Sequence, residues 1–149
     1  MCEFLNQKYD EDLINKLSEC RIKADFIINE GVIETIKKLS NNYKLSILSN
    51  ALPSRRHHEL LIENLIEYFE PIIISFEIGL HKPDRKIFEY ALEKSSFQPN
   101  EIAFIDDKIE NLVTAQSVGF GQCILFSKEI HPDFKSTANF RKLPELLVK

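Results

Sequence analysis

No apolar run in this chain approaches the ~20 residues needed to cross a bilayer. The first residues also lack the basic, apolar and small-residue series of a secretion signal. Cysteine is scarce. Cys2, Cys20 and Cys123 are far apart, odd in number and form no CxxC pair, which points to reduced thiols in a cytoplasmic protein and against a disulfide framework. Positive charge is not in excess either, and a net charge of −4 gives no general attraction to nucleic acid or to an anionic membrane. No Gly-x-Ser-x-Gly surrounds Ser49, which argues against a serine hydrolase. The absence of a Gly-x-x-x-x-Gly-Lys loop argues against a nucleoside triphosphatase. There is no internal repeat, linker or low-complexity tract. What remains is a soluble chain of 149 residues, 44% apolar and 28% charged, with the length of one domain.

One stretch organises the rest. Ile102-Ala103-Phe104-Ile105 reads as a short buried strand that stops abruptly on Asp106-Asp107. Ile109 to Val118 follows with helical length and Gly119 as a stop signal. Two acids at the C-terminal end of a strand lie where α/β sheets place ligands. Hard oxygen donors there suit Mg²⁺, which takes one or two carboxylates plus waters and a substrate phosphate. The blander alternative is that Asp106 or Asp107 only caps the following helix.

Residues before this stretch alternate between the two periodicities. Phe4, Leu5, Leu13, Ile14, Leu17 and Ile22 recur at three- and four-residue steps, predicting helical pieces in residues 1–28. A helix is expected from Glu30-Gly31 through Leu39, with Val32, Ile33, Ile36 and Leu39 on one face. Lys44 to Asn50 reads as a strand, and about Ser54 to Phe69 as a helix. Pro71 to Phe76 is a second, continuously apolar strand, predicted to be covered on both faces. Glu77 to Lys82 is a loop, and Pro83 is placed as a first helical residue ahead of Ile87, Phe88, Ala91 and Leu92. Gln122 to Phe126 makes a fourth strand and Phe140 to Leu147 a terminal helix. Strands alternating with helices imply a parallel sheet in a layered α/β domain.

That topology brings three strand ends to one edge, carrying Ser49-Asn50, Glu77 to Lys82, and Asp106-Asp107. A hydroxyl, a lysine and an acid pair suit phosphoryl transfer, which depends chiefly on positioning and electrostatics. Ser49 would bind a phosphoryl oxygen, Lys82 would neutralise charge, and Asp106 with Asp107 would hold Mg²⁺. Singly, each has a bland reading, with Ser49 capping a turn, Lys82 a solvated charge and Asn111 a surface amide. Arg55-Arg56-His57-His58 is read as a solvated helix start, since adjacent histidines on a helix point ~100° apart and cannot chelate one metal by themselves.

Leu45 to Asn50, then Glu77 to Asp84 with Ile87-Phe88, then Phe104 to Asp107 with Asn111 and Ala115 to Gly119, together resemble the haloacid dehalogenase-like hydrolases. The nearest likeness is to the branch of sugar-phosphate phosphatases and epoxide hydrolase phosphatase domains. It runs from about Gly31 to Phe126, with residues 1–30 resembling the end of that branch's helical cap and residues 31–149 its Rossmann-like core. The resemblance implies catalytic roles for Ser49, Lys82 and Asp106, with Asp106 and Asp107 at the metal. It also implies a phosphate pocket lined by Ser49, Asn50 and Lys82, and an acidic loop ordered by Asn111. The implied activity is Mg²⁺-dependent hydrolysis of a small phosphorylated metabolite. Dehalogenation is disfavoured, because the acid pair suits a metal that a dehalogenase does not need.

The chain departs from the family at one point. Members begin with an apolar strand ending in Asp-x-Asp, which supplies the nucleophile and the general acid/base. Asp10-Glu11-Asp12 has those letters after a poor strand, and Phe26-Ile27-Ile28 ends on Asn29-Glu30. The expectation is therefore an N-terminally truncated enzyme. In the family that strand lies between those bearing Ser49 and Asp106, so two strand edges would lack partners here. A dimer or a completing segment would cover them. The alternative is a non-catalytic module that binds phosphate and Mg²⁺.

Overall fold

The computed structural model describes residues 31–51 and 65–147. The expected helical cap remnant at residues 1–30, with Asp10-Glu11-Asp12, Phe26-Ile27-Ile28, Cys2 and Cys20, lies outside the described residues, as do Arg55-Arg56-His57-His58 and most of the helix expected from Ser54.

Helix α1 (Val32–Ser40) buries Thr35, Ile36 and Leu39, while Ile33 is 41% exposed. The inward stripe runs through 32, 35, 36 and 39. At about 100° per residue Ile33 falls off that stripe, so the expected face was one residue too wide.

Strand β1 (Leu45–Ser49) pairs in parallel with β2 (Phe69–Ile74), with Leu48 opposite Ile73 and Ser49 opposite Ile74. Strand β2 starts earlier than its apolar run suggested, taking Phe69 from the expected helix, of which a 3₁₀ turn at Ile66–Tyr68 is the described part. It also ends earlier. Ser75 and Phe76 leave the sheet for a single helical turn, α2 (Ser75–Ile78), which runs from the end of the expected strand into the expected loop. The Ser75 hydroxyl donates to the Ala51 carbonyl and accepts from the Ala51 N–H, holding that turn against the loop after β1.

Helix α3 (Arg85–Lys94) begins two residues beyond Pro83, because the Asp84 carboxylate accepts the Lys86 N–H at 2.9 Å and serves as the cap. Strand β3 (Ala103–Asp106) leads into α4 (Ile109–Val118), which closes on Gly119 at φ 101, a left-handed conformation that favours glycine. Strand β4 (Gln122–Leu125) lies parallel to β3, with Asp106 opposite Leu125. Gly121 enters β4 so close to the Asn100 carbonyl that a Cβ there would meet its oxygen at 2.0 Å. A two-residue strand, β5 (Lys135–Ser136), extends this sheet in parallel and is too short to carry a periodic signal. The expected terminal helix is split into a 3₁₀ turn (Phe140–Lys142) and α5 (Leu143–Leu146), with Pro144 in the first turn of the latter.

Two parallel sheets result, β1-β2 and β3-β4-β5. Among the described residues no strand pairs with the second edge of β1 or of β3. The two sheets share one core. Ile87 and Phe88 of α3 are fully buried, with Leu48 of β1 and Phe104 of β3 packed against the same cluster. Phe88, Phe104 and Phe120 meet edge to face, with centroids 5.4 to 6.2 Å apart. No helix among the described residues is long and apolar enough to cross a membrane.

Cys123 on β4 packs against this core, and burial pushes its thiol up to about 11. The raised value means that folding favours the protonated thiol. Its contribution is fully present below the unfolded value of about 8.5 and is lost as pH rises through about 11. In a Cys2→Ser/Cys20→Ser chain, iodoacetamide at pH 8 should alkylate native Cys123 at least about tenfold more slowly than the urea-unfolded thiol, since the thiolate is the nucleophile. Equal rates would show the thiol to be accessible and ordinary.

Candidate active site

The C-terminal ends of β1 and β3 meet through one lysine. Strand β3 ends inside its ladder, so the alternation of side chains turns Asp106 inward and leaves Asp107 exposed. The Asp106 main chain is held by the Phe126 N–H, which donates to its carbonyl at 2.9 Å. Its carboxylate is held on both sides. Oδ1 accepts the Lys108 N–H and the Asn111 Nδ2, each at 2.9 Å. Oδ2 accepts from the Lys82 ammonium at 2.6 Å, with the two side chains only 5% and 11% exposed.

Burial by itself pushes the Asp106 carboxyl up. The hydrogen bonds from Lys82, Asn111 and the Lys108 N–H, with the Lys82 charge, outweigh it and hold the group below its ordinary value. Charge-assisted bonds of this kind are about twice as strong as neutral ones. The carboxylate therefore stays ionised at neutral pH.

Lys82 is not the solvated charge of its bland reading. Its ammonium rests on Asp106 and lies 5.5 Å from the centre of the Phe104 ring, within cation–π reach. Its main chain belongs to no helix or strand. The Lys82 N–H donates to Asn50 Oδ1 and the Lys82 carbonyl accepts from Asn50 Nδ2, both at 2.8 Å. Asn111 is likewise no surface amide, being 3% exposed. Helix capping is met only in part: Lys108 stands at the N-cap of α4, and Asp106 braces the turn before it through the Lys108 N–H. Ser49 is half-buried at the end of β1, opposite Ile74.

Thus Asn50, Lys82, Asp106 and Asn111 form one connected polar group, with Ser49 and Asp107 each adjacent in sequence to a member of it. Sequence reasoning missed Ser75, although it is the first polar residue after the run Pro71–Ile74 and so marks a strand end. It also missed Arg85, whose guanidinium donates to the Ser117 carbonyl at 3.1 Å. That bond ties the start of α3 to the end of α4, where carbonyls lack helical partners.

A family model described as haloacid dehalogenase-like hydrolase matches residues 2–124. The chain belongs to the haloacid dehalogenase-like hydrolases. Among curated members it is 31% identical over 88 residues to a pyrimidine 5′-nucleotidase of Escherichia coli, a stretch covering 59% of this chain and 37% of that protein. It is 26% identical over 90 residues to a glyceraldehyde 3-phosphate phosphatase of Methanothermobacter thermautotrophicus, covering 60% of this chain and 40% of the relative. The chain thus spans less than half the length of either.

Solved haloacid dehalogenase-like structures share its fold. A phosphatase from Thermococcus onnurineus superposes with a TM-score of 0.72 at 22% identity, over 95% of this chain and 65% of that one. An enzyme of the family from Bacteroides thetaiotaomicron, crystallised with magnesium and inorganic phosphate, superposes with a TM-score of 0.67 at 23% identity, over 80% and 64%.

The donor set of this haloacid dehalogenase-like chain fits Mg²⁺. Three donors occupy the Asp106 carboxylate, which offers about four lone-pair positions, so Oδ2 can accept one more partner. Asp107 offers a second, exposed carboxylate one residue on. Among the described residues no group of three or more His, Cys, Asp or Glu gathers. Hard oxygen ligands few in number match an ion that keeps its waters and takes a phosphate oxygen.

Proposed function

We propose that this chain carries the phosphate- and metal-binding part of a Mg²⁺-dependent phosphomonoester hydrolase acting on a small phosphorylated metabolite. The observation that carries the reading is the Lys82 ammonium held 2.6 Å from Asp106 where the ends of β1 and β3 meet. Curated relatives named for glyceraldehyde 3-phosphate, phosphoserine and pyrimidine nucleotides support the substrate class.

Asp106 and Asp107 would hold the ion, which when bound supplies Lewis-acid polarisation of a phosphoryl oxygen. Lys82 cancels part of the phosphoryl charge from the protein side, and the Ser49 hydroxyl donates to a phosphoryl oxygen. Asn111 keeps the Asp106 carboxylate at one angle, leaving Oδ2 turned toward Lys82. A second copy or a completing segment along β1 and β3 belongs to the same proposal.

A second reading, a module that binds phosphate and Mg²⁺ without turnover, is favoured by one sequence observation. The chain contains no apolar strand-like run ending in Asp-x-Asp. Phosphate release from sugar phosphates and a chromogenic phosphoester, with Mg²⁺ present or chelated, separates the two. Hydrolysis that stops on chelation is the expected result, and Asp10, Asp12 and Asp25 would then be substituted in search of the nucleophile. Binding of Mg²⁺ and phosphate by folded protein without release would select the non-catalytic module.

A further inference from the structure

We propose that Asn50 is a positioning residue for Lys82, a clamp that sets the lysine ammonium on Asp106 across two sheets that share no ladder among the described residues. The inference rests on the phosphate-binding reading above only for its second measurement. Asn50 and Lys82 are 32 residues apart in the chain, and both ends of the Asn50 amide are engaged by the Lys82 main chain, one donating and one accepting at 2.8 Å.

Two bonds from one planar amide fix both the place and the orientation of the Lys82 backbone, as a strand neighbour would. Lys82 needs this, because it lies between α2 and α3 and has no helix or strand to satisfy its backbone. His81 Nδ1, 3.4 Å from the Lys82 carbonyl, is too distant to replace the amide. The path Asn50, Lys82, Asp106 thereby joins the end of β1 to the end of β3.

The clamp is exposed to water, so its loss leaves the fold nearly intact and releases the lysine. Asn50 therefore acts through Lys82, and its effect vanishes when the ammonium is gone.

Amide hydrogen exchange by NMR tests the clamp without any ligand. In Asn50→Ala the Lys82 amide should exchange about tenfold faster, as expected for the loss of one local hydrogen bond, while Ile47 and Ile105 keep their rates. Asn50→Asp keeps the acceptor but cannot donate to the Lys82 carbonyl, so its exchange should fall between the two. An unchanged Lys82 rate in Asn50→Ala would overturn the clamp.

Affinity for inorganic phosphate with Mg²⁺, by titration calorimetry, then tests the route of its action. Asn50→Ala should weaken binding about tenfold, whereas Lys82→Met and Lys82→Met/Asn50→Ala should bind alike, as a double-mutant cycle requires of two residues acting as one. An equal tenfold loss on the Lys82→Met background would instead make Asn50 an independent phosphate contact and sink the proposal. If the unsubstituted chain bound no phosphate, the phosphatase reading would fall, and the exchange rates would still decide the clamp.

Discussion

On the proposed function, Asp106→Asn should sharply lower Mg²⁺-dependent phosphate release and also weaken the fold. The substitution keeps the shape and the oxygen that accepts from Lys108 and Asn111. At the other position it turns an N–H toward the Lys82 ammonium, replacing an attractive contact of 2.6 Å with two opposed donors. Removing one partner of a buried ion pair typically costs about 3 kcal/mol or more, because the remaining charge is left without compensation. On the proposed function, loss of one of the two carboxylates that would hold the ion should lower turnover by about a hundredfold or more. Asp107→Asn separates the two effects. Asp107 is exposed, so its loss should shift stability by about 0.5 kcal/mol or less while weakening Mg²⁺ binding. Urea unfolding and Mg²⁺-dependent phosphate release on both variants check this. An Asp106→Asn protein as stable and as active as the parent would remove Asp106 from both roles.

Phe88→Ala should bring the largest loss of stability. Phe88 is fully buried on α3 and packs edge to face against Phe104 of β3 and against Phe120. Leu48 of β1 packs against the same cluster, so one side chain helps anchor both sheets to one helix. Phenylalanine-to-alanine changes in cores cost about 3–5 kcal/mol, the lost transfer energy plus the cavity left behind. For a chain of this length each kcal/mol lowers the melting temperature by about 2–4 °C, so a fall near 10 °C is expected by circular dichroism. Phe88→Leu fills most of the space and should lose less than half as much. A Phe88→Ala protein melting with the parent would mean that the core closes without the ring.

The same residue explains why part of the fold was legible. Ile87-Phe88 and Ala91-Leu92 show helical spacing in the sequence, and Ile87 and Phe88 are fully buried with Leu92 packed against them, while Ala91 is half-buried. The acidic end of β3 was legible for a similar reason, since an apolar run that stops on two carboxylates has few places to stop in an α/β domain. Boundaries were less legible. Asp84 takes the start of α3 from Pro83 by accepting the Lys86 N–H, and Ser75 leaves β2 to hold Ala51. A cap or a side-chain bond to a distant loop decides an end that periodicity leaves open.

By itself, the sequence determined the parallel α/β class, the order of the strands along the chain and the residues carried to one edge. Those follow from hydrophobic period and from the handedness of crossovers, both local or chiral properties of the chain. Only the tertiary structure decided how those residues engage one another. The sequence places Asn50 at the sheet edge, and the structure adds that its amide grips the Lys82 backbone 32 residues away. The sequence allows Lys82 to be a phosphoryl-charge neutraliser or a solvated charge, and its contacts with Asp106 and the Phe104 ring set the solvated alternative aside. Hydrogen bonds between distant residues depend on where two folded elements bring their ends, and no pattern within either segment encodes that distance.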